Sequence, residues 1–385
     1  MDAVDREATA LLALADIPGV SLAAVKRLTL DFGSGMAALR RFRGGSVQEL
    51  VRACEGSVRV RDGTAEALAS PPTRRAAQRV ARARRLGLEV VCLTAREYPA
   101  PLDDLVDPPP VLFLRGRGWP DWDRCVAIVG TRRSTAYGRS VAHRLARDFA
   151  RWGWTVVSGM ARGIDAAAHA GALDGGGHTI GVLGSGHDHE YPRSNGPLYR
   201  RMESGGLLVS EFWPGIRPTR YTFPRRNRII AALARAVVVV EAGARSGALD
   251  TASRATPLGR EILAVPGRID APASRGALDL LRNGAAPVAE VRDVFDAVGW
   301  VHDYATPTDA AAAERPGPPP RVGREEDARV LGVLLGQGLT ADETAAEARL
   351  DIGRALAALG RLEVDGRVVR SPGGRFELVG REGLA

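Results

Sequence analysis

Between residues 115 and 300, short uninterrupted apolar runs alternate with segments of helical periodicity, and this alternation leaves few folds open. The runs fall at 126–129, 155–158, 179–183, 207–210, 236–241 and 261–265. Between them, 140–152, 164–173, 225–234 and 249–258 place apolar residues at helical spacing. A strand that is apolar on both sides has to be covered on both sides. Brief Val/Ile/Leu runs separated by helices therefore specify a parallel sheet between two helical layers. The expected fold is α/β: a Rossmann-like, doubly wound, mostly parallel sheet. Ligands of such sheets sit at the carboxyl ends of the strands.

Flanking segments have a different texture. Residues 1–70 read as short helices at 6–15, 22–32 and 36–41, with Ile17-Pro18-Gly19-Val20-Ser21 turning between the first two. That suits a helical domain of SAM or helix-hairpin-helix type, serving either as a packing module or by turning the Gly19 amide toward a phosphate. An arginine-rich helix at 73–86, strands at 88–93 and 111–114 and a proline-studded stretch between them lead into the sheet, so the α/β domain is expected over 71–300. Residues 301–323 form an Ala/Pro/Gly-rich linker. Residues 324–385 read as helices at 325–335, 339–348 and 351–363, the last opened by Asp351 as N-cap, and then a hairpin at 368–379: a winged helix.

Charge is distributed unevenly. The formal net charge is +8, yet residues 71–300 alone hold 33 basic against 22 acidic side chains, while 1–70 are balanced at 9 each and 324–385 are net negative. A polyanion would therefore bind the middle of the chain, and the winged helix fits protein contact or a structural role better than direct DNA binding. Lys26 is the only lysine, which excludes a P-loop and Schiff-base chemistry at the glycine loops. Cys54, Cys92 and Cys125 are scattered without a C-x-x-C pair, against structural zinc and a disulfide framework. The first residues do not read as a signal peptide, and no apolar run reaches the roughly 18 residues of a membrane span. The expected location is the cytoplasm, without membrane partners.

The chemistry gathers at the predicted strand ends. Gly130-Thr131-Arg132-Arg133, Ser158-Gly159-Met160-Ala161-Arg162-Gly163, Gly184-Ser185-Gly186, Glu241-Ala242-Gly243 and Ser246-Gly247 place flexible backbone where amides at helix N-termini can meet an anion. A G-x-G-x-x-G fingerprint is missing, so a dinucleotide cofactor is not expected. Across 191–228, eight arginines stand against Glu203 and Glu211, interleaved with Tyr191, Tyr199, Phe212, Trp213, Tyr221 and Phe223. Guanidinium groups that track phosphates, beside rings that stack bases, are the signature of single-stranded nucleic-acid binding. The alternative is a solvated basic loop over buried aromatics. His187-Asp188-His189-Glu190 offers possible metal donors, but its spacing needs further ligands that no other cluster supplies. Asp165 and His169, one helical turn apart, suit a polar contact holding the loop, or an acid–base pair.

Taken in order, Val126-Ala127-Ile128-Val129-Gly130-Thr131-Arg132, Ser158-Gly159-x-Ala161-x-Gly163-Ile164-Asp165 with His169, Tyr191-Pro192, Ser210-Glu211, Phe223-Pro224-x-Arg226-Asn227-Arg228 and Ser246-Gly247-x-x-x-Thr251-Ala252 resemble the DNA-processing protein A family (DprA, or Smf) over about 115–290. The resemblance implies a non-enzymatic protein with no catalytic residue, metal or cofactor. It would bind incoming single-stranded DNA during natural transformation, protect it, and help load the recombinase RecA while displacing single-strand-binding protein. It would act as a homodimer through the Rossmann-like domain. By motif, Gly130, Arg132 and Arg133 would hold phosphate in the first loop, and Arg193 would contact DNA after Tyr191-Pro192. Phe223, Arg226 and Arg228 would line the same groove, shaped by Ser158, Gly159, Gly163, Asn227, Ser246 and Gly247. Arg132→Ala or Arg226→Ala would then weaken binding and leave the fold intact. Two other readings stay open: a Rossmann-like nucleotide phosphoribohydrolase, whose Pro-Gly-Gly-x-Gly-Thr is not present, and a duplex DNA-binding protein working through the winged helix.

Overall fold

The computed structural model describes residues 2–54, 57–300, 325–334, 338–364, 367–371 and 374–378. The chain forms two compact units, Met1–Thr308 and Asp309–Ala385. The expected linker at 301–323 lies outside the described residues.

The first unit opens with α1 (Ala3–Ala15), α2 (Leu22–Phe32), α3 (Gly35–Phe42), α4 (Val47–Ala53), α5 (Thr64–Ala69) and α6 (Thr73–Arg85). Side chains start several of them: Asp2, Ser21 and Ser34 each accept the amide three residues on. The turn at Gly19 does not present its glycine outward. Gly19 has φ +85°, the Arg59 carbonyl oxygen lies 1.7 Å from where its β-carbon would stand, and Val20 bridges to Val58. Of the two readings of this turn, the packing against the chain's own backbone fits the helical packing module.

A single sheet follows, in the spatial order β1-β2-β6-β5-β4-β3-β7-β8-β9. Its strands are β1 (Glu89–Cys92), β2 (Val111–Gly116), β3 (Cys125–Val129), β4 (Thr155–Ser158), β5 (Thr179–Val182), β6 (Leu207–Ser210), β7 (Ala236–Val239), β8 (Glu261–Ala264) and β9 (Ala286–Pro287). β3 to β9 run parallel; β1 and β2 add an antiparallel edge. Helices α7 (Ala136–Arg151), α8 (Ile164–Asp174), α9 (Gly196–Gly205), α10 (Thr222–Ala232), α11 (Gly247–Ala255), α12 (Arg275–Arg282) and α13 (Val291–Ala297) connect and flank the parallel strands. β3 lies between β4 and β7, so the chain runs outward through β4, β5 and β6 and then crosses back to β7. That reversal opens a crevice at the carboxyl ends of β3, β4 and β7.

Residue 70 does not divide compact units. Side chains alternate across β1 and β2, so Val91, Leu112 and Leu114 join one core while Val90, Cys92, Val111 and Phe113 join the core of α1 to α6. Lys26 ties the same regions together, donating to the backbone oxygens of Asp103 at 2.7 Å and Leu105 at 3.0 Å. On another part of the sheet Phe149, Trp154 and Phe295 pack with ring centroids 5.1 to 6.1 Å apart, and Trp300 stands 4.5 Å from Phe295.

The second unit contains α14 (Glu325–Val333), β10 (Leu339–Thr340), α15 (Ala341–Glu347), α16 (Ile352–Val364), β11 (Val368–Arg370) and β12 (Arg375–Leu378). Its sheet order β10-β12-β11 with three helices is a winged helix. Thr340 and Glu343 form a capping box at the start of α15.

Candidate nucleic-acid interface

A cavity of about 470 Å³ occupies the crevice. Its walls come from the loop after β3 (Gly130 to Arg133), the start of α10 (Phe223, Arg226, Asn227) and the start of α11 (Ser246, Gly247, Ala248), with Arg220 and Asp165 completing the lining.

The loop after β3 is held at both ends by Glu241, two residues past β7. The Thr131 amide donates to the Glu241 carbonyl at 2.7 Å, and the Thr135 amide and hydroxyl donate to its carboxylate at 2.9 and 2.5 Å. Gly138 leaves room for that carboxylate, because a β-carbon there would fall 2.3 Å from it. Ile164 fits against Gly130 in the same way, with 2.5 Å to a would-be β-carbon. Between these fixed ends Arg132 extends over Phe223, its guanidinium carbon 4.5 Å from the ring centroid. Phe223 packs on Gly184 and meets the half-exposed Tyr191 at 5.5 Å.

Beneath lies a buried polar floor. Arg226 is 3% exposed; its Nη1 donates to the Gly159 carbonyl at 2.6 Å and to the Val182 carbonyl, and its Nε to Asn227 Oδ1 at 3.2 Å. Asn227 in turn donates to Asp250 at 2.9 Å. Burial lowers the Arg226 pKa to about 10, so it stays charged at neutral pH. Burial raises the Asp165 carboxyl above its ordinary value, while Arg226 and Arg132 pull it back down. His169 is driven down to about 3, first by burial and then by Arg226.

Asp165 and His169 do not pair with each other. The Ala161 amide donates to Asp165 at 3.4 Å and the Met160 amide to His169 Nε2 at 3.4 Å; His169 Nδ1 meets Thr179 Oγ1 at 2.7 Å. Asn195 donates to the carbonyls of Met160 and Ala161. Three side chains therefore fix the turn in which Met160 takes φ +57°.

Several expected contacts change role. Arg228 does not line the groove. It lies two residues from Arg226, about 200° round the helix, and is buried against Glu211 at 2.7 Å and Asp107 at 3.4 Å. Ser158 is fully buried and donates to Ile128 O at 2.6 Å, so it supports the sheet rather than meeting a ligand. Gly159 acts through its carbonyl under Arg226, and Gly163 (φ +83°) makes room for the Thr131 carbonyl, 2.4 Å from its would-be β-carbon. Arg193 sits exposed on the turn Arg193–Asn195, outside the cavity lining. The His187-Asp188 pair diverges: His187 is buried against the Phe113 carbonyl at 2.8 Å, and Asp188 bridges Arg82 and the Gly215 amide.

With this geometry in hand, the family model for "DNA recombination-mediator protein A" matches residues 89–299. The chain belongs to that family. A model of the DprA winged helix domain matches 311–374. Among relatives within the DprA family, a putative DNA processing protein DprA of Mycobacterium tuberculosis is 45% identical over 244 residues, 63% of this chain and 61% of the relative. The DNA processing protein DprA of Bacillus subtilis is 40% identical over 214 residues, covering 55% of this chain and 72% of that protein. The X-ray structure of DprA from Streptococcus pneumoniae superposes with TM-score 0.61 at 29% identity, over 77% of this chain and 98% of that one. The match thus spans less than two thirds of the mycobacterial relative. No helix among the described residues is long and apolar enough to cross a membrane.

Proposed function

We propose that this chain binds single-stranded DNA without reading its sequence, shelters it, and helps load RecA onto it during natural transformation. The observation that carries the reading is the Arg132–Phe223 pair at the mouth of the cavity. A ring and a guanidinium side by side offer a stacking surface for a base and a charge for the adjoining phosphate, neither of which distinguishes one base from another. Its relatives in Mycobacterium tuberculosis and Bacillus subtilis are named as DNA processing proteins, the former putatively, which supports the same direction. The reading takes the protein as a cytoplasmic homodimer that meets single-strand-binding protein as well as RecA.

We read it as a binding protein rather than an enzyme. Asp165 and His169, one helical turn apart and suited by type to proton transfer, are both engaged with backbone amides. The test is fluorescence anisotropy with labelled oligothymidine and a mixed-sequence strand of equal length, followed by RecA filament assembly on strands coated with single-strand-binding protein. Equal affinities that fall steeply with salt, and faster filament assembly, are expected. Absence of strand binding at low salt overturns the reading; strand binding without faster assembly removes only its RecA part.

A further inference from the structure

Helix α6 carries six arginines and no acidic residue. Two of them turn inward. Arg79 pairs with Asp16 at 2.6 Å and lies 3.5 Å over the Trp213 ring, and Arg84 pairs with Asp5 at 2.9 Å. Arg82 pairs with Asp188 at 2.7 Å, and that carboxylate also accepts the Gly215 amide at 2.8 Å. These contacts clamp α6 to the segment 213–216. Arg74, Arg75 and Arg85 remain exposed, with no salt bridge among the described residues.

The clamped segment continues directly into the groove. After it come exposed Arg217 and then Arg220, which lines the cavity and lies 4.8 Å over the ring of Tyr221, itself 69% exposed. A second ring–guanidinium pair thus stands in the chain between the clamped segment 213–216 and Phe223. Topology brings the right end of α6 to this side. β1 and β2 are antiparallel, β2 and β6 are antiparallel, and so β1 points the same way as β6. A short turn reverses α6 into β1, which carries the amino-terminal half of the helix, with Arg74 and Arg75, toward the rim where β6 ends.

Resting on the groove reading, we propose that the exposed arginine face of α6 is a second phosphate-tracking surface. A single strand leaving the cavity crosses Tyr221, Arg220 and Arg217 and continues along Arg74 and Arg75. The cavity then holds a few nucleotides, and α6 acts only on strands long enough to reach it. An acidic protein segment would meet the same charges, but the stepwise run of rings and guanidinium groups from the cavity favours a nucleic acid strand.

The experiment compares oligothymidines of about 6 and about 30 nucleotides in anisotropy titrations over a range of salt. The Arg74→Ala/Arg75→Ala variant touches no packed residue. It is expected to lose roughly tenfold affinity for the long strand at low salt and to lower its salt slope by about 1.4, near 0.7 per released phosphate contact, with the short strand unchanged. Arg132→Ala should weaken both lengths. If the double variant leaves the long strand's affinity and salt slope unchanged while Arg132→Ala weakens both lengths, the α6 surface is refuted and the groove stands. If Arg132→Ala leaves the short strand unaffected, the groove reading itself fails. Polyglutamate serves as the contrasting probe: if the double variant loses polyglutamate binding yet keeps the long strand's affinity and slope, the face takes acidic protein and the proposal is overturned.

Discussion

The guanidinium of Arg226 occupies the space that a β-carbon on Gly159 would need: that carbon would fall 2.5 Å from Nη1, the nitrogen that donates to Gly159's own carbonyl. Glycine at 159 and arginine at 226 are therefore one feature, a buried cation seated on bare backbone beneath the cavity.

Gly159→Ala should displace that cation and lower stability by about 2–4 kcal/mol, in the range of disturbed buried charge networks. Gly247→Ala is the control, since nothing lies within 4 Å of its would-be β-carbon. It should stay within about 1 kcal/mol of the parent. Urea unfolding followed by circular dichroism reads both.

The expectation that Arg132→Ala and Arg226→Ala behave alike does not survive the geometry. Arg132→Ala removes an exposed cation and should cut strand affinity with an unchanged melting temperature. Arg226→Ala strips buried Asp165 and two carbonyls of their partner and should cost about 3–5 kcal/mol. Adding Asp165→Asn should recover part of that loss. Thermal melts without recovery would place the cost elsewhere than in the unpaired carboxyl.

Arg228 and Glu211 form a buried pair facing away from the cavity. Arg228→Met should destabilise the fold, and Glu211→Leu in addition should return part of the stability, because removing both charges avoids leaving one stranded. The salt slope of strand binding should not move in the folded double variant, which separates Arg228 from the phosphate-tracking arginines.

Phe223→Ala should weaken binding by about 1–3 kcal/mol, the usual worth of one base–ring stack, while Phe223→Trp keeps most of it. Competition titrations with unlabelled oligothymidine measure both. Equal affinity for the alanine variant would remove the stacking role.

His169, with its pKa lowered from 6.5 to about 3, makes the fold sensitive to acid. Below 6.5 the unfolded chain takes up a proton that the folded chain refuses. Its contribution is therefore complete above pH 6.5 and shrinks as pH falls toward 3, at up to roughly 1.4 kcal/mol per pH unit. His169→Gln should flatten that part of the stability profile. An unchanged slope in urea titrations between pH 6.5 and 4 would contradict it.

Much of the molecule was legible in the residues. Continuous apolar runs revealed six of the seven parallel strands within a residue or two, because a strand buried on both sides has no polar alternation to confuse it; β9 (Ala286–Pro287), two residues long, was missed. Gly130, Arg132 and Ser246 were visible as strand-end features, and Phe223 as a ring among the arginines of 191–228. The role of Arg228 was not: a one-dimensional list of arginines does not say which side of α10 each occupies, and the partner that withdraws it, Glu211, comes from the turn just after β6. Glu241, which clasps the Arg132 loop, and Asn195, which holds the Met160 turn, were missed for the same reason. Each acts on backbone far away in the chain, where no spacing rule reaches. The boundary expected at 70 failed because charge and turn composition changed there while the core did not.

Lys26 is the chain's sole ammonium side chain, and it spends its hydrogen bonds on the carbonyls of Asp103 and Leu105, between helix and loop. Every other side chain that is cationic at neutral pH irrespective of its surroundings is a guanidinium. Acylating enzymes that silence basic surfaces by neutralising amines find nothing to modify in this groove. Its attraction for polyanions is beyond that form of control, and among the side chains, reagents that attack amines will report on the seam at Lys26.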